Sequence, residues 1–209
     1  MRLSVPPVCS LGGEAPSRRR TLNRRPAARP PQHPRAWSRV VLVSNSAGET
    51  RALGAQLALL ASGDETLALS GPLGAGKTCL VQGVGRALGI RRPISSPSFV
   101  LMKRYRGRFP LTHWDWYRLA DRSDLESCGF ADPQVGPGLV VIEWAERFLD
   151  QIERPFVQIE ITPTGRHSRR LRFQVRGRSP RLSRFIRDLR DWWVSRHCAE
   201  HAQRPGDAQ

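Results

Sequence analysis

The run GPLGAGKT, Gly71 to Thr78, satisfies the phosphate-loop pattern G-x-x-x-x-G-K-[ST] at each fixed position. That run works only between a strand and a helix, so it dictates the surrounding architecture. Upstream, Thr66 to Ser70 (TLALS) is a short apolar strand-like stretch. Downstream, Cys79 to Gly89 carries Leu80, Val84 and Leu88 at helical spacing and reads as a helix closed by Gly89. Gly71, Gly74 and Gly76 allow a turn tight enough for successive backbone N–H groups to converge on phosphate oxygens, aided by the positive end of the helix. Lys77 supplies a point charge for the phosphates, and the Thr78 hydroxyl is a ligand for Mg2+. The candidate nucleotide-binding set is Gly71, Leu73, Gly74, Ala75, Gly76, Lys77, Thr78 and Cys79. Of 34 basic residues only Lys77 and Lys103 are lysines, and Lys77 stands where a compact ammonium fits better than a planar guanidinium.

Elsewhere the pattern alternates between strand and helix. Val40 to Ser44 reads as a first strand. Ser46 and Glu49 then stand in capping-box spacing ahead of Leu53, Leu57 and Leu60, with Gly63 as the stop. A loop from Arg91 to Phe99 leads to a strand at VLMKRY, a turn at Gly107 and the stretch Pro110 to Leu119; SDLESCGF suggests a short helix closed by Gly129. GLVVIEWAE, Gly138 to Glu146, has the unbroken apolar run of a strand buried on both faces. PFVQIEIT and RRLRFQV alternate and read as an antiparallel pair. The expected fold is therefore an α/β P-loop NTPase with a mainly parallel sheet, an antiparallel extension and helices on both faces.

Three segments are expected. Residues 1–39 are rich in Pro and Arg, poor in large apolar residues, and read as disordered. They suit an organelle transit peptide, sequence upstream of a misassigned start codon, or a nucleic-acid-binding arm. Residues 40–178 form the ATPase domain, and 179–209 a C-terminal amphipathic helix and tail, with Leu182, Phe185, Ile186, Leu189 and Trp193 on one face. That helix is expected to dock on the body, with an RNA or partner surface as the alternative. The net charge of +16 lies in the flanks: nine arginines against Glu14 up to Arg39, and twelve against four acidic residues from Arg166 onward. Between them, 13 basic and 13 acidic residues cancel. The four cysteines are scattered with no C-x-x-C pair, which points to a reducing cytoplasm and away from disulfides or zinc. His197, Cys198 and His201 near the C-terminus carry no convincing metal signature. No run approaches the length of a membrane span.

Further constellations narrow the chemistry. HWDWYRL puts Asp115, and IEW puts Glu143, at the end of an apolar strand, where a parallel sheet presents its ligands. SSPSF, Ser95 to Phe99, could close over a γ-phosphate as a switch. With these motifs in this order the chain resembles the TsaE (YjeE) family, the small ATPase of tRNA threonylcarbamoyladenosine synthesis, over about Val40 to Arg172. The resemblance implies binding and hydrolysis of ATP with Mg2+ in a complex with the TsaD and TsaB proteins, with tRNA engaged indirectly through that complex. It implies Lys77, Asp115 and Glu143 as catalytic residues, Thr78 and Glu143 as ligands of Mg2+, and Ser46 and Arg169 near the adenine. Pro72 replaces the family's aspartate, and Ser98 a threonine. Trp114 and Trp116 replace smaller residues beside Asp115, a change expected to bear on a contact surface. A small-molecule P-loop kinase, or a nucleotide-gated RNA-binding or assembly module, is the alternative reading. A GTPase is excluded because no N-K-x-D motif is present.

Overall fold

The computed structural model describes residues 39–130 and 138–202. The expectation of disorder over 1–39 falls outside these residues, except for Arg39, and so does the tail beyond Ala202. The described chain runs β1 (Arg39–Ser44), α1 (Ala47–Leu60), β2 (Thr66–Ser70), α2 (Lys77–Ala87), β3 (Met102–Tyr105), β4 (Leu111–Asp115), α3 (Arg122–Ser127) and β5 (Leu139–Glu143). Two short 3-10 turns follow, Ala145–Arg147 and Leu149–Gln151, then β6 (Phe156–Pro163), β7 (Arg169–Arg176) and α4 (Pro180–Ala202).

All seven strands form one sheet in the order β1-β7-β6-β2-β5-β4-β3. The central β6, β2, β5 and β4 are mutually parallel. The antiparallel pairs lie outside them: β3 on β4 at one edge, β7 on β6 and β1 on β7 at the other. The late strand pair is antiparallel as expected, and β1, first in the chain, returns to close that far edge.

Strand alternation divides the core. On one face, Leu67 and Leu69 of β2 pack with Leu53 and Leu57 of α1, Leu80 and Val84 of α2, and Leu182, Phe185, Ile186, Leu189 and Trp193 of α4. The apolar stripe of α4 is thus buried in the body, and its helix runs from Pro180 to Ala202. On the other face Ala68 and Ile142 pack with Trp114, Trp116, Leu125, Phe130 and Ala145. Trp116 meets Phe130 edge-on at 4.7 Å and is fully buried. The two tryptophans are therefore core residues and form no contact surface, because the strand beside Asp115 needs bulk to fill the gap under α3. Among the described residues no helix is long and apolar enough to cross a membrane.

Two glycines set how closely α1 and α2 approach. A Cβ on Gly54 would lie 2.0 Å from the Leu80 carbonyl oxygen, and one on Gly83 would lie 2.0 Å from that of Arg51. Backbone meets backbone there, with no flexible side chain to give way. Gly83→Ala is expected to lower stability by about 3 kcal/mol, read as an earlier urea-unfolding midpoint; an unchanged midpoint would show that the helices can part.

Candidate functional site

The parallel pairing aligns three strand ends. Leu69 of β2 lies opposite Glu143 of β5, which lies opposite Asp115 of β4. Ligands thus gather at the C-terminal edge of adjacent parallel strands, where such sheets build their sites. Both carboxylates are buried. Immediately after β2 the chain turns through Gly71, Gly74 and Gly76, each with positive φ, and enters α2 at Lys77. A Cβ on Gly74 would meet nothing within 4 Å, so the loop is open above that point. At Gly71 it would strike the Ile161 carbonyl at 2.3 Å, so only glycine fits there.

Lys77, Thr78, Asp115 and Glu143 line one cleft of about 360 Å³, together with Leu73, Gly74, Ala75, Gly76 and Cys79. Lys77 Nζ donates to the carbonyls of Gly71 (2.6 Å) and Pro72 (3.0 Å) and sits 3.6 Å from the centroid of the Trp144 ring. Burial pulls its pKa below the ordinary lysine value of 10.5, opposed by the nearby carboxylates of Glu143, Glu146 and Asp115. Pro72 lacks an N–H but its carbonyl is used twice, by Lys77 and by the Ala75 N–H at 3.1 Å. The Thr78 hydroxyl lies 2.9 and 3.0 Å from the two Glu143 oxygens. A hydroxyl and a carboxylate facing each other are the hard oxygen donors that Mg2+ prefers, so the pair suits that ion.

The switch-like serines reach Asp115. Ser96 and Ser98 both donate to its Oδ2, the latter at 2.6 Å, while the Tyr117 N–H donates to Oδ1 at 2.9 Å. Ser46 and Arg169 do not line the cleft. The Ser46 hydroxyl accepts the Glu49 N–H at 3.0 Å as the N-cap of α1, and the Glu49 carboxylate returns to the Asn45 N–H at 2.8 Å. Arg169 Nε donates to the Ala75 carbonyl at 2.9 Å, bracing the phosphate loop from outside.

Three neighbours of the site escaped the sequence reading. His113 is fully buried and its Nε2 is 2.9 Å from Glu143 Oε1, so this nitrogen carries the hydrogen that the carboxylate accepts. It stands two residues before Asp115 on one strand, so period-two alternation was the available signal. Glu146 accepts the Gly71 N–H at 3.3 Å. Trp144 has φ 60° and ψ 32°, a left-handed conformation that costs a non-glycine residue about 1–2 kcal/mol. No pattern in the sequence signals that backbone. It turns the indole over Lys77 and against Tyr117, with ring centroids 4.7 Å apart. Among the described residues no cluster of three or more His, Cys, Asp or Glu could hold a metal.

Comparison with known proteins agrees with this geometry. The family described as threonylcarbamoyl adenosine biosynthesis protein TsaE matches residues 44–171. The tRNA threonylcarbamoyladenosine biosynthesis protein TsaE of Treponema pallidum is 40% identical over 119 residues, covering 57% of this chain and 88% of that one. The Bacillus subtilis protein of the same name is 37% identical over 130 residues, covering 62% and 81%. The crystal structure of Bacillus subtilis YdiB superposes with a TM-score of 0.62 at 30% identity, over 76% of this chain and 95% of that one.

A lysine at this position can hold phosphate only as an ammonium ion. Since burial lowers its pKa, polyphosphate affinity is expected to fall as pH rises toward 10.5, starting before an exposed lysine would titrate. Calorimetric titration with a nucleoside triphosphate from neutral pH to about pH 10 checks this; a flat profile would remove Lys77 from the phosphate contact.

Proposed function

The chain belongs to the TsaE family of threonylcarbamoyl adenosine biosynthesis proteins, and from that premise we propose that it is the ATPase of the machinery that installs threonylcarbamoyl on the adenosine beside the anticodon of tRNAs. In this reading it binds and hydrolyses ATP with Mg2+ in a cytoplasmic complex with TsaD and TsaB. The observation that carries it is the convergence of Lys77, Thr78, Asp115 and Glu143 on one cleft.

Each residue has a task that its contacts prepare. Lys77 exchanges the Gly71 and Pro72 carbonyls for phosphate oxygens, keeping its hydrogen bonds while gaining opposite charge. Thr78 and Glu143 would hold Mg2+, which when bound neutralises phosphate charge. His113 fixes the Glu143 carboxylate from behind, so its orientation is set before any ligand arrives. Asp115 orients water, and its bonds to Ser96 and Ser98 tie that function to the position of the serine segment. Arg169, which borders the phosphate loop, and Ser46, at the start of α1, serve the adenine side. Support for protein partners comes from Leu73, Phe99 and Val100, which are 81%, 83% and 61% exposed, with Arg118 of the cleft wall stacked on Phe99 at 4.1 Å. Exposed apolar side chains of that kind are what partner proteins cover.

Lys77→Ala is expected to lose ATP turnover on the order of 100-fold, about 2.7 kcal/mol, since a charge-assisted contact to the phosphates goes. Near-normal hydrolysis by the folded variant, measured with TsaD and TsaB present, would overturn the proposal. Glu143→Gln keeps shape without charge and should still bind ATP but hydrolyse it slowly, with altered Mg2+ dependence. Unchanged turnover and unchanged Mg2+ dependence would make Glu143 structural.

A further inference from the structure

The neutral sum of the body conceals a strong polarity. From Thr66 to Trp114 the chain carries eight basic residues and no Asp or Glu. Five of the eight, Arg86, Arg91, Arg92, Arg104 and Arg106, are exposed and surround two clefts of about 430 and 580 Å³. The clefts share Gly89, Ile90, Arg91 and Arg92 as lining, so they are continuous, and among the described residues no carboxylate lines either one.

The arginines come from three pieces of chain that are fixed to one another. Arg86 lies in the last turn of α2. Arg91 and Arg92 lie on the following loop, which is anchored where Ile94 fills the space at Gly85: a Cβ there would lie 2.0 Å from Ile94 Cδ1. Gln82 Nε2 also donates to the Ile94 carbonyl at 3.2 Å. Arg104 and Arg106 lie on β3 and its turn, which is held against the end of α2 by the Arg108 N–H donating to the Leu88 carbonyl at 2.8 Å. The negative end of α2 offsets some of the repulsion among these charges. An edge strand commonly carries a charged residue to discourage sheet-to-sheet pairing. That accounts for Arg104 but not for arginines of α2 and the loop meeting those of β3 around one pair of joined clefts.

We propose that this arginine cleft binds the phosphate backbone of RNA. Guanidinium groups match phosphate oxygens bidentately. A protein partner is a poorer fit, because stable protein interfaces centre on buried apolar anchors. None of the exposed large hydrophobic residues, such as Phe99, Val100, Leu73 or Tyr117, lines either cleft. The choice of tRNA as the RNA rests on the proposed role in tRNA modification; the charge geometry stands without it. The loop also connects the cleft to the nucleotide site. Four residues after Arg92, Ser96 donates to Asp115, and Lys103 Nζ donates to the Ser95 hydroxyl at 2.9 Å.

The test uses the full chain and unmodified tRNA. Because arginines of the flanks also attract RNA, the deciding readout is residue by residue: phenylglyoxal labelling of arginines, located by mass spectrometry with and without tRNA. Protection of Arg91, Arg92, Arg104 and Arg106 is expected. The double variant Arg91→Glu/Arg92→Glu should weaken tRNA binding at least about tenfold and reduce the slope of log affinity against log salt by about 1 to 2. If that variant fails to fold, Arg91→Ala/Arg92→Ala should show a smaller change in the same direction. ATP turnover with the partner proteins should be retained by both variants, which separates failure here from failure of the ATPase reading. The inference is overturned if tRNA leaves these arginines as reactive as in the free chain, if the variants bind tRNA with unchanged affinity and salt slope, or if polyglutamate protects the cleft and tRNA does not.

Discussion

A buried carboxylate must be satisfied by donors, and Glu143 obtains them from two other elements. Thr78 reaches it from the first turn of α2 and His113 from the middle of β4, all within about 3 Å. The end of β5 is thereby tied to the phosphate-loop helix and to the strand that bears Asp115. The backbone continues the connection, since the Trp116 N–H donates to the Glu143 carbonyl at 3.0 Å. Strand register, loop position and the placement of both carboxylates therefore depend on one side chain being fully hydrogen-bonded. Removing a single donor would leave a buried carboxylate oxygen short of a partner.

Directly after Glu143 the chain adopts the left-handed turn at Trp144. The strain of about 1–2 kcal/mol there is offset by an indole that stacks on Tyr117 and covers Lys77. The indole adds a cation–π contact to the two carbonyls that accept from the buried Lys77 ammonium. Carboxylate, strained residue and aromatic cover thus occupy two consecutive positions in the chain.

What the sequence disclosed follows from how local each feature is. Gly71 to Thr78, the capping residue Ser46 and the stripe from Leu182 to Trp193 are set by spacing within one element, and each is where its pattern put it. The strand ends at Asp115 and Glu143 were legible because apolar runs stop there. Long-range order was not. Nothing local to Val40 or Phe156 indicates that β1 closes the far edge or that β6 lies parallel to β2. Trp114 and Trp116 misled because bulk beside a catalytic-looking aspartate resembles surface chemistry, while the space they fill is shared with Ala68, Ile142 and Phe156, far along the chain in both directions. The charge balance misled differently: a sum over the body cannot reveal that its acidic residues avoid one 49-residue stretch.

The contact at Gly54 and Gly83 has a mechanical consequence. With backbone pressed on backbone, α2 cannot shift without carrying α1, and α1 shares its buried face with α4. The phosphate loop is therefore mounted on a stiff three-helix block. Opposite it, the segment bearing Ser96 and Ser98 is held by two short hydroxyl hydrogen bonds to one oxygen of the buried Asp115 carboxylate. The cleft therefore lies between a helix block held by backbone contact and a serine segment held by a single carboxylate, so its two walls are fixed by different kinds of force.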